Sequence, residues 1–216
     1  MIERYIQAVG IEAPGAEEPA ATRERLREAF PRGATRRMTQ LGLLLGSVLG
    51  KIALTDDDTL VYASVYAESR ALEEYLASFP AASPTLFQTS IHPSAVQQAL
   101  IARQQPVRQF FPHTGRAQLV AHSVQTALLA STPRSILCGG EETGTWLREV
   151  GAASRETFAF ALALSSDPAG ALGKLSLTPS TADGELTLPA FFAALQHRRS
   201  LQHAAAPGLI LHLTWQ

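Results

Sequence analysis

Six histidines, one cysteine and a scatter of serines are the residues through which this chain could do chemistry. The histidines are His92, His113, His122, His197, His203 and His212. A helical zinc site needs two imidazoles one turn apart, and no pair here has that spacing; His197 and His203 are too far apart in sequence to share one helix face. His122 and Ser123 suggest a serine–histidine dyad, but adjacent residues of a helix do not face each other. There is no Gly-x-Ser-x-Gly elbow. The run Gly140-Glu141-Glu142-Thr143-Gly144 would bring two carboxylates to a phosphate and lacks the spacing of a nucleotide-binding loop. Cys138 ends an apolar run, where a thiol serves as a small buried hydrophobe. A lone cysteine forms no internal disulfide and no cysteine-based zinc site. Asp56, Asp57 and Asp58 read as a solvated turn, since no other ligands converge on them. Taken singly, these residues name no enzyme and call for no metal or cofactor.

The elements that must position them alternate regularly. Tyr5–Gly10 reads as a strand and Glu17–Phe30 as a charged surface helix ended by Pro31-Arg32-Gly33. Thr35–Leu54 is an apolar helix whose Gly42, Gly46 and Gly50 line one stripe. That stripe marks close backbone packing rather than a membrane dimer seam, because the apolar stretch Met38–Gly50 is too short to span a bilayer. Thr59–Val65 is apolar nearly throughout, as a strand covered on both faces must be. Ser69–Ser78 reads as a helix with Leu72, Tyr75 and Leu76 inward, Pro84–Pro93 as extended or irregular, and Ser94–Gln105 as a helix. Pro106–Phe111 is a short strand whose proline favours a sheet edge. Arg116–Ser131 is a central helix, Ser135–Cys138 a buried strand, and Gly139-Gly140 a sharp turn or a close approach to another chain. Thr157–Leu164 and Leu172–Leu177 read as strands, Leu188–His197 as a helix and Ala206–Trp215 as the last strand. This order predicts an α/β domain: a mainly parallel five-stranded sheet with an antiparallel edge and helices on both faces.

Hydrophobic residues make up 46% of the 216 residues and charged ones 17%, with a net charge of −1. That balance suits one domain over 1–216 and gives no electrostatic reason to bind nucleic acid or an anionic membrane. The N-terminus has no signal-peptide pattern and no segment is long enough to span a membrane, so a cytoplasmic location is the expectation.

The segment SPTLFQTSIHP at Ser83–Pro93 resembles the motif SPT-x-F-x-x-S-V-H-N of short β-ketoacyl synthase-like proteins, the chain-length-factor-like proteins of aryl-polyene and xanthomonadin-type pigment pathways. LCGGEE at Leu137–Glu142 and the run Phe158–Leu164 follow in the order of that family, and the resemblance covers nearly the whole chain. It implies a thiolase-like half-fold. It also implies what is missing. The position of the ketosynthase nucleophilic cysteine falls near Val120, where no cysteine lies, and the two histidines of the ketosynthase second half are absent. Thiolate attack and decarboxylation both need such groups. His92 matches the motif histidine and is expected to hydrogen-bond structurally. The glycine before the family's edge strand is replaced by Gln105.

The function implied is that of a non-catalytic, chain-length-factor-like subunit. Pro106, Val107, Phe110 and Phe111 would form the interface, pairing by strand addition with a catalytic ketosynthase. Arg116–Ser131 would help wall the partner's acyl tunnel, and acyl carrier protein would be met indirectly, through the partner. One alternative is a homodimeric scaffold of the same biosynthetic complex using the same edge. Another is a small hydrolase or acyltransferase using Ser90, His92 or Ser123.

Overall fold

The computed structural model describes residues 1–216. In chain order the elements are β1 (Ile2–Glu12), α1 (Pro19–Leu26), α2 (Gln40–Lys51), β2 (Thr59–Ser64), α3 (Ser69–Ala77), α4 (Pro84–Ser90), α5 (Ser94–Arg103), β3 (Gln109–Thr114), α6 (Leu119–Leu128), β4 (Arg134–Glu141), β5 (Phe158–Ser165), β6 (Gly173–Pro179), α7 (Leu188–Gln196), β7 (Leu201–Ala206) and β8 (Leu209–Trp215). All eight strands join one sheet in the order β3-β2-β4-β5-β1-β6-β8-β7.

The α/β class, with helices on both faces, is as the sequence predicts. The sheet is larger than expected and differently wound. Eight strands replace five, and only the β2–β3 and β2–β4 pairings are parallel. The other five pairings are antiparallel. The physical reason lies after β4. A loop without a crossover helix leads from β4 back into β5, so β5 runs antiparallel to it. β1 then inserts between β5 and β6, antiparallel to both. The last expected strand is a hairpin, β7–β8, turning at Gly208 with φ 83°. Its first arm, LQHAAA, has no β-branched residue and half-exposed burial, so its composition conceals it.

One face of the sheet packs on α6 and α7 through Val124, Phe160, Phe191 and Leu162, all essentially inaccessible to solvent. The other packs on α2 and α5 through Leu44, Leu45, Val48 and Ala99. Each such leucine contributes roughly 1.5–3 kcal/mol by leaving water. The glycine stripe of α2 is a packing stripe: a Cβ on Gly46 would meet the Phe30 ring at 2.4 Å, and one on Gly50 the Arg103 guanidinium at 2.3 Å. Thr39 caps this helix, its Oγ1 accepting from the Gly42 N–H at 3.0 Å.

Four local expectations are corrected. Ser83–Ser90 is not irregular: Ser83 Oγ accepts from the Leu86 N–H at 3.3 Å, and Pro84 takes the first helical position, where its missing N–H costs nothing. Leu72 and Leu76 of α3 point outward, 37% and 41% exposed, while Ala71 and Glu73 point inward. Asp58 is not solvated; it is buried and bonded to Arg134. Gly139 and Gly140 lie inside β4, where a Cβ would meet the Ala63 and Phe158 carbonyls at 2.5 and 2.4 Å, so neighbouring strands approach closely there.

Candidate functional site

β3 forms one end of the sheet and pairs with β2 alone, in register from Thr59↔Gln109 to Ser64↔Thr114. Its outer edge is open. The strand starts later than the sequence suggests: Pro106 and Val107 precede it, because Pro106 lacks a donor and the chain reaches register with β2 only at Gln109. Pro112 is the proline within the strand, tolerated at an edge. Alternation divides the two phenylalanines. Phe110 packs against the α2–α5 core, whereas Phe111 is 40% exposed. Of the two expected interface residues that lie on the open edge strand, Phe111 is the one exposed.

α6 lies behind β3. The turn joining them has positive φ at Gly115 (127°) and Gln118 (56°), and the Gln118 N–H donates to Glu185 Oε1 at 2.5 Å. Val120 sits past this junction, inside the helix and buried. With Ser123, Phe160 and Phe191 it surrounds a gap too small to hold a water molecule. Ser123 Oγ is buried there without a hydrogen-bond partner. Cys138, on β4, is fully buried, and burial pushes its thiol well above the ordinary range.

His92 stacks on Tyr62, with ring centroids 5.2 Å apart, and its Nδ1 lies 3.1 Å from Glu68 Oε2. The other oxygen of Glu68 accepts from the Ala95 N–H at the start of α5, at 3.0 Å. His92 thus ties the loop before α5 to the sheet. Its Nε2 and the Tyr62 hydroxyl are both buried without partners.

Sequence reasoning missed a set of buried carboxylates, Glu68, Glu73, Glu141 and Glu142, of which Glu68 alone contacts this histidine. Glu141 accepts from Ser64 Oγ and from the N–H groups of Val65 and Tyr66; burial raises its pKa to about 8. Glu142 accepts from the Leu41 N–H at the start of α2, and burial raises it to about 7. Glu73 holds the loop after β4 through Thr145 and Leu147. The available signal was two acids directly ending an apolar strand, which the sequence presented only as unsuited to phosphate.

A second surface is basic. The ion pairs of α1 and the turn after it are Arg25 with Glu12 and Glu17, and Arg27 with Glu24. They leave Arg32, Arg36 and Arg37 exposed without a carboxylate. Arg32 and Arg37 border a groove of about 790 Å³ lined by Met38, Ile91, Gln97 and Ile101, with no acidic residue in its wall. No helix is long and apolar enough to cross a membrane, and no group of three or more His, Cys, Asp or Glu is placed to hold a metal ion.

No protein-family model and no curated protein sequence matches the chain. Solved structures do. A chain of the ketosynthase ApeO in complex with its chain length factor ApeC from Xenorhabdus doucetiae superposes with a TM-score of 0.71 at 16% identity, over 99% of this chain and 100% of that one. A chain of the ishigamide ketosynthase/chain length factor superposes with a TM-score of 0.53 at 11% identity, over 84% of this chain and 65% of that one. At these identities the likeness is one of fold: this chain has the thiolase-like fold of ketosynthase and chain length factor chains.

Proposed function

We propose that this chain is a non-catalytic subunit of the chain-length-factor kind, pairing through β3 with a catalytic ketosynthase in polyketide- or fatty-acid-type biosynthesis, with aryl-polyene formation the case that the resemblance of its sequence suggests. The observation that carries the reading is the end-to-end superposition on a chain from a ketosynthase–chain length factor complex, 99% of this chain on 100% of that one. The open β3 edge supplies the means, since unpaired N–H and C=O groups template an added strand. The non-catalytic role is supported by the burial of Cys138 and by the closed packing around Val120. In this account the partner supplies the thiolate and the histidines. α6 supplies a wall. Phe160 and Phe191 fill the space behind it, which makes its outer flank a rigid stop, as a steric ruler for chain length requires. Beyond the indirect contact through the partner expected from the sequence, an acidic carrier domain would also touch this chain directly at Arg32, Arg36 and Arg37.

Phe111→Asp tests the edge. In co-expression with a candidate ketosynthase from the same genome, the variant should keep its circular dichroism and lose the co-eluting partner, because it would bury an unpaired charge. An unchanged elution volume contradicts pairing through β3. A wild-type homodimer that recruits no ketosynthase favours the scaffold role.

A further inference from the structure

The face formed by β3 and α6 carries an unusual charge pattern. β3 (QFFPHT) and α6 (LVAHSVQTAL) contain no Asp, Glu, Lys or Arg; their only ionisable residues are His113 and His122. Both belong to the flank around Phe111. His113 shares its strand face with Gln109 and Phe111. Its Nε2 lies 3.3 Å from Thr126 Oγ1, which in turn donates to the His122 carbonyl at 2.9 Å. His113 is half-buried and His122 exposed. Burial first, and the neighbouring His122 second, lower the His113 pKa below that of a free imidazole.

No carboxylate faces the pair. Tyr62 of β2 is turned to the opposite side of the sheet, against His92. Arg116, in the turn after β3, lies over the Tyr66 ring. Glu185 holds the Gln118 N–H at the start of α6 and ion-pairs with neither histidine. α7 has no ionisable residue. The remaining charged groups on strands against α6 are engaged elsewhere: Arg4 on carbonyls at and just beyond the C-terminal end of the helix, Glu12 on Arg25 and Lys51, Arg134 on Asp58, Lys174 on Glu3, Glu141 on the turn after β2, and His203 on the Ala204 carbonyl.

We infer that pairing through β3 is gated by pH: His113 and His122 permit the interface when neutral and open it when protonated. The inference rests on β3 being the partner-binding edge. Covering this face removes both imidazoles from water, so each becomes harder to protonate in the complex than in the free chain. By linkage, a group that binds its proton more tightly in the free chain weakens association as pH falls through its free-chain value, which for an imidazole lies between pH 5 and 8.

The test is the dissociation constant of the β3-dependent complex, measured by sedimentation at pH 7.5 and pH 5.5 at fixed ionic strength. Each unit by which pairing lowers a histidine's proton affinity is worth about tenfold, so the constant should rise about tenfold or more at the lower pH. His113→Gln with His122→Gln, checked for folding by circular dichroism, should bind at both pH values with nearly the same affinity. A pH-independent wild type, or a double variant that keeps the pH dependence, overturns the inference while leaving the edge intact. Absence of a complex already at pH 7.5 overturns the edge reading and this inference with it.

Discussion

Arg134, its side chain 30% exposed, and the buried Asp58 form a bidentate pair, Nε to Oδ1 at 2.8 Å and Nη2 to Oδ2 at 2.6 Å, which locks the first residue of β4 to the residue before β2. Asp58 Oδ2 also accepts from the Thr55 N–H at 2.7 Å, and nearby Thr132 Oγ1 donates to Thr59 Oγ1 at 2.8 Å. The parallel pairing that positions β3 starts from this knot. Asp58→Ala leaves the guanidinium and the Thr55 N–H without their acceptor and should cost about 1–3 kcal/mol in urea unfolding. Removing both groups, Asp58→Ala with Arg134→Met, should recover part of that loss. A single variant of wild-type stability would refute this role.

The carboxylate of Glu141 sets a pH dependence of folding. Its pKa is raised by burial from 4.5 to about 8. The sign follows: the neutral folded form is favoured below the unfolded value, and stability is lost as pH rises from there through about 8. Glu142, raised to about 7, acts in the same direction. Denaturant unfolding should therefore give a lower free energy at pH 8 than at pH 5, by at least about 1.4 kcal/mol, the equivalent of one pKa unit. Glu141→Gln should flatten that slope, and a slope unaffected by the substitution would show that the proton resides elsewhere.

Hydrophobic patterning made most of the core legible. The all-buried β2 and the apolar α2 stand close to where their sequences place them, because burial on every side leaves one pattern. What escaped was set by tertiary contacts. Direction of pairing depends on connections that residue types do not encode, so the antiparallel half of the sheet was hidden. α3 misled because its leucines point outward while Glu73 turns inward to bind a loop more than seventy residues away. At the candidate site, the sequence placed the edge correctly but through Pro106, which lies before β3; the proline that the edge accommodates is Pro112. The division of labour between Phe110 and Phe111 was not legible, since it depends on register with Leu60 and Val61.

Val120 gives a check on the non-catalytic role. Val120→Cys places a thiol in a closed core, beside a gap that admits no water. The variant should show no condensing activity, and its thiol should resist iodoacetamide until the chain is unfolded. Condensation by the isolated variant would contradict the account.

The basic surface should govern contact with an acidic carrier. Reversing Arg32, Arg36 and Arg37 to Glu touches no ion pair of the fold. It should weaken binding of a carrier domain to the complex about tenfold or more, and reduce the salt dependence of that binding. Equal carrier affinity for variant and wild type, measured by titration calorimetry at low salt, would move carrier docking to the partner alone.

The most direct measurement is affinity purification of the tagged chain from its native cells, with the mass and identity of whatever co-elutes. The account expects a ketosynthase in equal amount, released by Phe111→Asp. Recovery of the chain alone, as a monomer or as a homodimer with no ketosynthase, would contradict it.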